Sequence, residues 1–245
     1  MRFQKAIQID PNNAWAWCNL AHVLRQQGKF KQALPAMRRG HELGSRQSGW
    51  SYPSGAWVLE TDRWIALDEK LAALTRGEAV PGSAGEQLAL AEFCTTVKKR
   101  YATAARFYAG AFAAEPILAE HLPAANRYKA ACAAARAASG AGKDAAGLDE
   151  PQRRRWRTQA LEWLTAELAA WTTHFEKNPQ SGPSLVKTLR QWQADTDLAR
   201  IRDEPALVGL PVEEQSAWRQ FWTRVAALEA RGEKQPPDLR GPAHK

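Results

Sequence analysis

The residues of this chain that could do chemistry are few, and their spacing suits no reaction. Gly140-Ala141-Gly142-Lys143-Asp144 has the look of the end of a phosphate-binding loop. Such a loop needs an earlier glycine, so that backbone N–H groups converge on phosphate oxygens, and a Ser or Thr after the lysine to hold magnesium. Ala137 and Asp144 stand at those two positions, and no strand pattern precedes them. The segment therefore reads as a Gly/Ala linker. His22, His41, His121, His174 and His244 are scattered, with no metal-like step to another His, a Cys or a carboxylate. The acid pairs Asp68-Glu69 and Glu213-Glu214 are adjacent on helical patterns. Their members point in different directions, which suits solvent and helix electrostatics better than acid–base work. Cys18, Cys94 and Cys132 have neither zinc nor disulfide spacing, which points to a reducing, cytoplasmic compartment. No catalytic, cofactor-binding or metal-binding residue is assigned, and the chain is expected to be no enzyme.

Charge is the next signal. The net charge is +8 and the pI about 9.6. The positive residues are spread over many segments, with local runs at Lys98-Lys99-Arg100 and at Arg153-Arg154-Arg155 with Arg157. Runs of this kind form either a solvated helix face or a set of phosphate contacts. No apolar stretch approaches the roughly 18 residues of a membrane-crossing helix. The start, Met-Arg-Phe-Gln-Lys, has no hydrophobic signal region.

The elements that must position these residues are helices. Ala, Leu, Gln, Glu and Arg dominate while β-branched runs are scarce, so propensity favours helix throughout. Eleven Trp, mostly at helical spacing, read as fillers of wide gaps between helices. Phe3, Ala6 and Pro11 recur as Met37, Gly40 and Ser45, each 34 positions later. Between them lie Trp17, Leu20, Ala21, Leu24, Gly28, Phe30 and Ala33, the large, apolar and small residues of a helical hairpin. Helices are predicted over 2–9, 14–27, 31–42, 54–76, 83–97, 100–115, 124–138, 150–176 and 184–195, and from Pro211 onward. Asn13 and Asp149 are their predicted caps and Gly28 the predicted left-handed stop. Pro35 is placed in the first turn of its helix or just beyond. Trp50 and Tyr52, in the Gly/Ser/Pro-rich stretch 44–53, are expected to pack back on the helices. The loop 139–148 is read as mobile and 197–210 as short turns. The apolar face of the first helix (Phe3, Ala6, Ile7) has no partner before it, so the chain reads as beginning inside a longer array. The resulting division is 1–45 repeats with the first truncated, 46–100 a hairpin extension, 101–231 degenerate repeats and 232–245 a disordered tail.

Residues 3–45 resemble the tetratricopeptide repeat family, departing from it at Gly40, where alanine is commoner, and at Ser45, where proline is. Residues 101–138 resemble it more loosely through Ala104, Tyr108, Ala111, Phe112 and Pro116. The resemblance implies an all-α fold, an antiparallel helix-hairpin solenoid with degenerate C-terminal helices. It also implies a concave groove for a protein or peptide partner, lined by the first helix of each pair. Trp15, Asn19, His22, Arg25 and Gln26 fall on that face by three- and four-residue steps. The family's habit puts Asn19 on a peptide backbone, and Arg25 suits a carboxylate. Trp17, Leu20 and Leu24 fall on the core side. The chain also resembles the C-terminal repeat region of large bacterial serine/threonine protein kinases. The phrases that carry this are Gly40-His41-Glu42-Leu43-Gly44, Arg106-Phe107-Tyr108-Ala109, Arg127-Tyr128-Lys129-Ala130-Ala131-Cys132-Ala133, Ala160-Leu161-Glu162-Trp163-Leu164 and Leu189-Arg190-Gln191-Trp192. None of the kinase catalytic motifs occurs in these residues. Three readings stay open: a scaffold that binds a protein, a basic helical protein that binds nucleic acid, and the tail of a kinase whose catalytic domain lies outside this sequence.

Overall fold

The computed structural model describes residues 2–234, and all regular secondary structure among them is helical. The chain divides into two compact units, Met1–Gly82 with Thr96–Lys98, and Ser83–Thr95 with Lys99–Lys245.

The first unit is built from α1 (Arg2–Ile9), α2 (Ala14–Gln26), α3 (Phe30–Gly44) and α4 (Ser54–Thr75). Asn13 caps α2 by accepting the Ala16 N–H at 2.9 Å, which satisfies one of the free donors of the first turn. Gly28 lies at φ 74° just past the end of α2, where a side chain would be strained. Cys18, Leu20 and Ala21 of α2 then meet Ala33, Ala36 and Met37 of α3 in a buried core. Phe3, Ile7, Trp17 and Leu24 are half-buried at its edge, so the face of α1 does find apolar cover on this core.

Gly40 explains its own departure from the repeat pattern. A Cβ there would stand 2.5 Å from Cys18 Sγ and 2.9 Å from Cys18 N. With Cys at 18, only glycine lets the two helices close. Gly44 serves the same end, because the indole of Trp50 lies directly against its Cα. Pro35 sits inside α3, just beyond its first turn. The missing N–H costs the helix one internal bond there, and surrounding packing holds the helix together.

The second unit opens with α5 (Ala84–Phe93), whose predicted continuation to 97 is instead a π-helical turn, Cys94–Lys98. The Arg100 N–H closes it on the Cys94 carbonyl at 2.9 Å. Then follow α6 (Tyr101–Ala114), α7 (Ile117–Glu120), a 3-10 turn Leu122–Ala124, α8 (Asn126–Ala138) and α9 (Glu150–Lys177). After them come α10 (Gly182–Ala194), a 3-10 segment Thr196–Ile201, α11 (Glu204–Leu207) and α12 (Val212–Glu233). Asp149 caps α9 in a reciprocal capping box with Gln152. α8 is buried along most of its length. Seven of its alanines, from Ala130 to Ala138, are buried where α6, α9 and the 196–201 segment press on it.

Two expectations fail in this unit for one reason, which is fixed polar and apolar anchoring of what read as loop. The 139–148 stretch is not a slack linker. The Asp144 carboxylate accepts the Thr103 N–H at 2.8 Å and the Thr103 hydroxyl at 2.7 Å, capping the start of α6. Lys143 N–H donates to the Lys99 carbonyl at 2.8 Å, and Ala145 is buried with Tyr101, Ala102 and Ala137. The 197–210 stretch is helical in two short pieces and buries Leu198, Ile201 and Leu207. The Tyr128 hydroxyl ties it to α8 by donating to Asp195 at 2.6 Å, and an Arg136–Asp197 ion pair at 2.8 Å adds to this. The tail reading fails for Gly232 and Glu233, which belong to α12. From residue 235 on it lies outside the described residues.

Candidate functional site

α2 carries the five groove candidates, and the structure treats them unequally. Trp15 is 46% exposed, and Gln26 is exposed too. Asn19 is half-buried, and its amide N–H donates to the Trp15 carbonyl at 2.8 Å, which leaves its side-chain oxygen open. His22 stands edge-on to Trp57 of α4, ring centroids 4.6 Å apart. Burial, reinforced by the nearby Arg25 charge, holds its pKa below the usual histidine value, so the ring is neutral at pH 7. Arg25 is buried. It forms an ion pair with Glu60 of α4, and its guanidinium lies 3.9 Å from the centre of the Trp64 ring. The carboxylate that Arg25 was expected to meet is thus one of this chain's own. Glu60 stands between Trp57 and Trp64 at three- and four-residue steps, and an acid at that place among large apolar residues is the sequence signal for the pair.

The open end of α2 is aromatic. Trp50 and Tyr52 from the connection before α4 flank Trp15, with ring centroids 5.8 Å and 4.2 Å from it, both edge to face. Trp50 is held by its indole N–H on Ser54 Oγ at 3.0 Å, and His41 Nδ1 meets the same hydroxyl at 2.9 Å. Tyr52 is 39% exposed. The Trp15 indole N–H and the Tyr52 hydroxyl meet no partner among the described residues. The sequence reading correctly packed this aromatic connection back on the helices. It did not place the connection beside Trp15, because that contact depends on how α4 turns back.

Four of the seven side chains in the basic runs, Lys98, Arg153, Arg154 and Arg157, have partners inside the chain. Lys98 pairs with Asp68 at 2.6 Å. Lys99 lies at φ 55° and gives its carbonyl to Lys143, and Arg100 flanks the start of α6. Arg153 donates from Nε to the Leu148 carbonyl at 2.9 Å, and Arg154 approaches Glu214 at 3.4 Å. Arg157 is only 5% exposed and is held by Glu214 at 2.6 Å and Glu150 at 2.5 Å. That position does not belong to a solvated phosphate-binding face. A buried guanidinium needs both carboxylates to offset its desolvation. Arg155 stays exposed.

Of the residues considered for chemistry, Glu69 and His174 take structural contacts, and His244 lies outside the described residues. Lys31 pairs with Glu69 at 2.6 Å, and His174 packs edge-on to Trp171 at 5.9 Å. All three cysteines are buried and free. No helix among the described residues is long and apolar enough to cross a membrane.

Residues 3–34 match the tetratricopeptide repeat family. No curated protein matches the chain. Among solved structures the chain is similar to YrrB, a tetratricopeptide protein described as having an unusual peptide-binding site. The identity is 15%, 98% of this chain and 94% of that chain are covered, and the TM-score is 0.36.

Proposed function

We propose that this chain is a non-catalytic helical-repeat scaffold that holds a protein or peptide partner on the exposed end of α2. The observation that carries this is Trp15, a large aromatic left nearly half exposed between two other rings, with its N–H free. Exposed tryptophan and tyrosine with unused donors are the side chains that dominate binding energy at protein interfaces. Asn19 and Gln26 add polar groups suited to a partner's backbone, and the repeat match over residues 3–34 supports the same use. Arg25 contributes indirectly. Its pair with Glu60 and its contact with Trp64 fix α4 beside α2.

The test is capture from native lysate by the chain and by a Trp15→Ala, Asn19→Ala variant of equal helicity by circular dichroism. Partners lost in the variant support the reading, and partners retained contradict it. Nucleic-acid binding has less behind it, since Arg157 and Lys98 are paired internally. It would show as capture that collapses between low and moderate salt. The kinase-like phrases favour a place in a larger signalling protein, which an in-frame kinase domain upstream would support.

A further inference from the structure

We propose that a cavity in the second unit, independent of the α2 surface, binds the phosphate group of a small phosphomonoester. The cavity holds about 330 Å³ and lies among the end of α8, the start of α9 and the segment leading into α11. Arg153, Arg157 and Arg200 line it together with one acid, Glu150. Arg157 is shared between Glu150 and Glu214, which leaves the guanidiniums of Arg153 and Arg200 for a ligand; these five groups together carry a net charge of +1.

These two arginines differ usefully. Arg153 is held in place, because its Nε donates to the Leu148 carbonyl at 2.9 Å. Its two Nη atoms lie over Gly140, where any Cβ would stand only 3.0–3.1 Å from them. They meet no acceptor among the described residues, so a positioned guanidinium edge is left unused. Arg200 is exposed and makes no bond or ion pair within those residues.

One guanidinium satisfies one carboxylate, fork to fork. Two guanidiniums with unused N–H groups, in a site of net positive charge, suit an anion that offers several acceptor oxygens on one centre rather than a single carboxylate. A phosphomonoester carries about −1.5 to −2 at pH 7 and three such oxygens. Ala138 and Ile201 give the cavity an apolar wall for the carbon body of the ester. Arg200 is free to close over the ligand, while Arg153 is already placed.

The experiment is calorimetric titration of the full chain at low salt with inorganic phosphate, O-phosphoserine and succinate. Saturable binding of O-phosphoserine is expected, weaker binding of phosphate, and no binding of succinate within tenfold of the ester. Arg200→Gln removes no internal bond and should weaken binding by roughly tenfold or more. Arg153→Gln should do the same, and Arg155→Gln, on the outer face of α9, should change nothing. Equal binding by Arg200→Gln, or no saturable binding of any phosphate probe, overturns the proposal. Binding of a phosphoserine peptide without binding of the free amino acid overturns it as well, by moving the site to a protein ligand.

Discussion

The α2–α3 hairpin and α8 solve the same problem, close helix approach, in different ways. In the hairpin one contact is decisive. Gly40 gives up its side chain to Cys18, and Trp50 covers Gly44 from outside. In α8 nearly every face is closed at once, and alanine supplies the small side chain on all of them. Small side chains bring helix axes toward the near end of the usual range of about 8–10 Å. The first solution keeps a periodic pattern of large and small residues, while the second erases it. A helix with a stripe has one buried face, whereas a helix buried on most sides tolerates growth nowhere.

The largest effect that follows is Ala134→Leu in α8. It should cost about 3 kcal/mol, since nothing beside a fully buried alanine can yield room. Ala66→Leu on the exposed side of α4 should stay within about 0.5 kcal/mol. Urea unfolding of the two variants checks this, and equal effects would break the comparison.

Gly40→Ala should cost about 2 kcal/mol, despite the better helix propensity of alanine. Adding Cys18→Ala removes the clash with sulfur and leaves the clash with the Cys18 backbone, so the double variant should recover only part of the loss. Full recovery would place the whole constraint in the Cys18 side chain.

The α8–α9 contact also buries Glu167, which is 1% exposed and lies 3.4 Å from Arg127, with its other oxygen unpartnered. Burial raises its pKa to about 7, partly countered by Arg127. The unfolded carboxyl titrates near 4.3. The unfolded chain therefore loses this proton first. The stability contributed by the protonated form is complete below about pH 4.3 and disappears as pH rises through about 7. Glu167→Gln should remove that loss, gaining up to about 3 kcal/mol over wild type at pH 8 and little at pH 4. Melting curves across this range check it, and a pH-independent difference would contradict it. The smallest effect concerns turns. The turn after α2 has a glycine at positive φ, but Ala125, just before α8, is at φ 50°. Ala125→Gly should stabilise the chain by about 0.5–1 kcal/mol, seen as a small rise in Tm.

The same contrast decides what was readable in the sequence. The α2–α3 hairpin was legible because Trp17, Leu20, Ala33, Met37 and the caps all agree on one period. α8 was legible as a helix, but its alanines carry no stripe, so nothing local says which faces are covered. The 139–148 and 197–210 segments looked slack because their anchors, Thr103 for Asp144 and Tyr128 for Asp195, are distant in sequence. Arg25 and Arg157 read as free cations for the same reason, since Glu60 and Glu214 are brought to them only by folding. Trp15 is exposed on α2, which helical phase alone makes legible.

The central claim is that this open face holds a partner. It is tested most directly by selecting a binding peptide from a random library on the intact chain. Its affinity is then measured by fluorescence anisotropy for wild type, Trp15→Ala and Arg155→Ala. The account predicts a loss of roughly tenfold or more for Trp15→Ala and no change for Arg155→Ala. Equal binding by wild type and Trp15→Ala would contradict it.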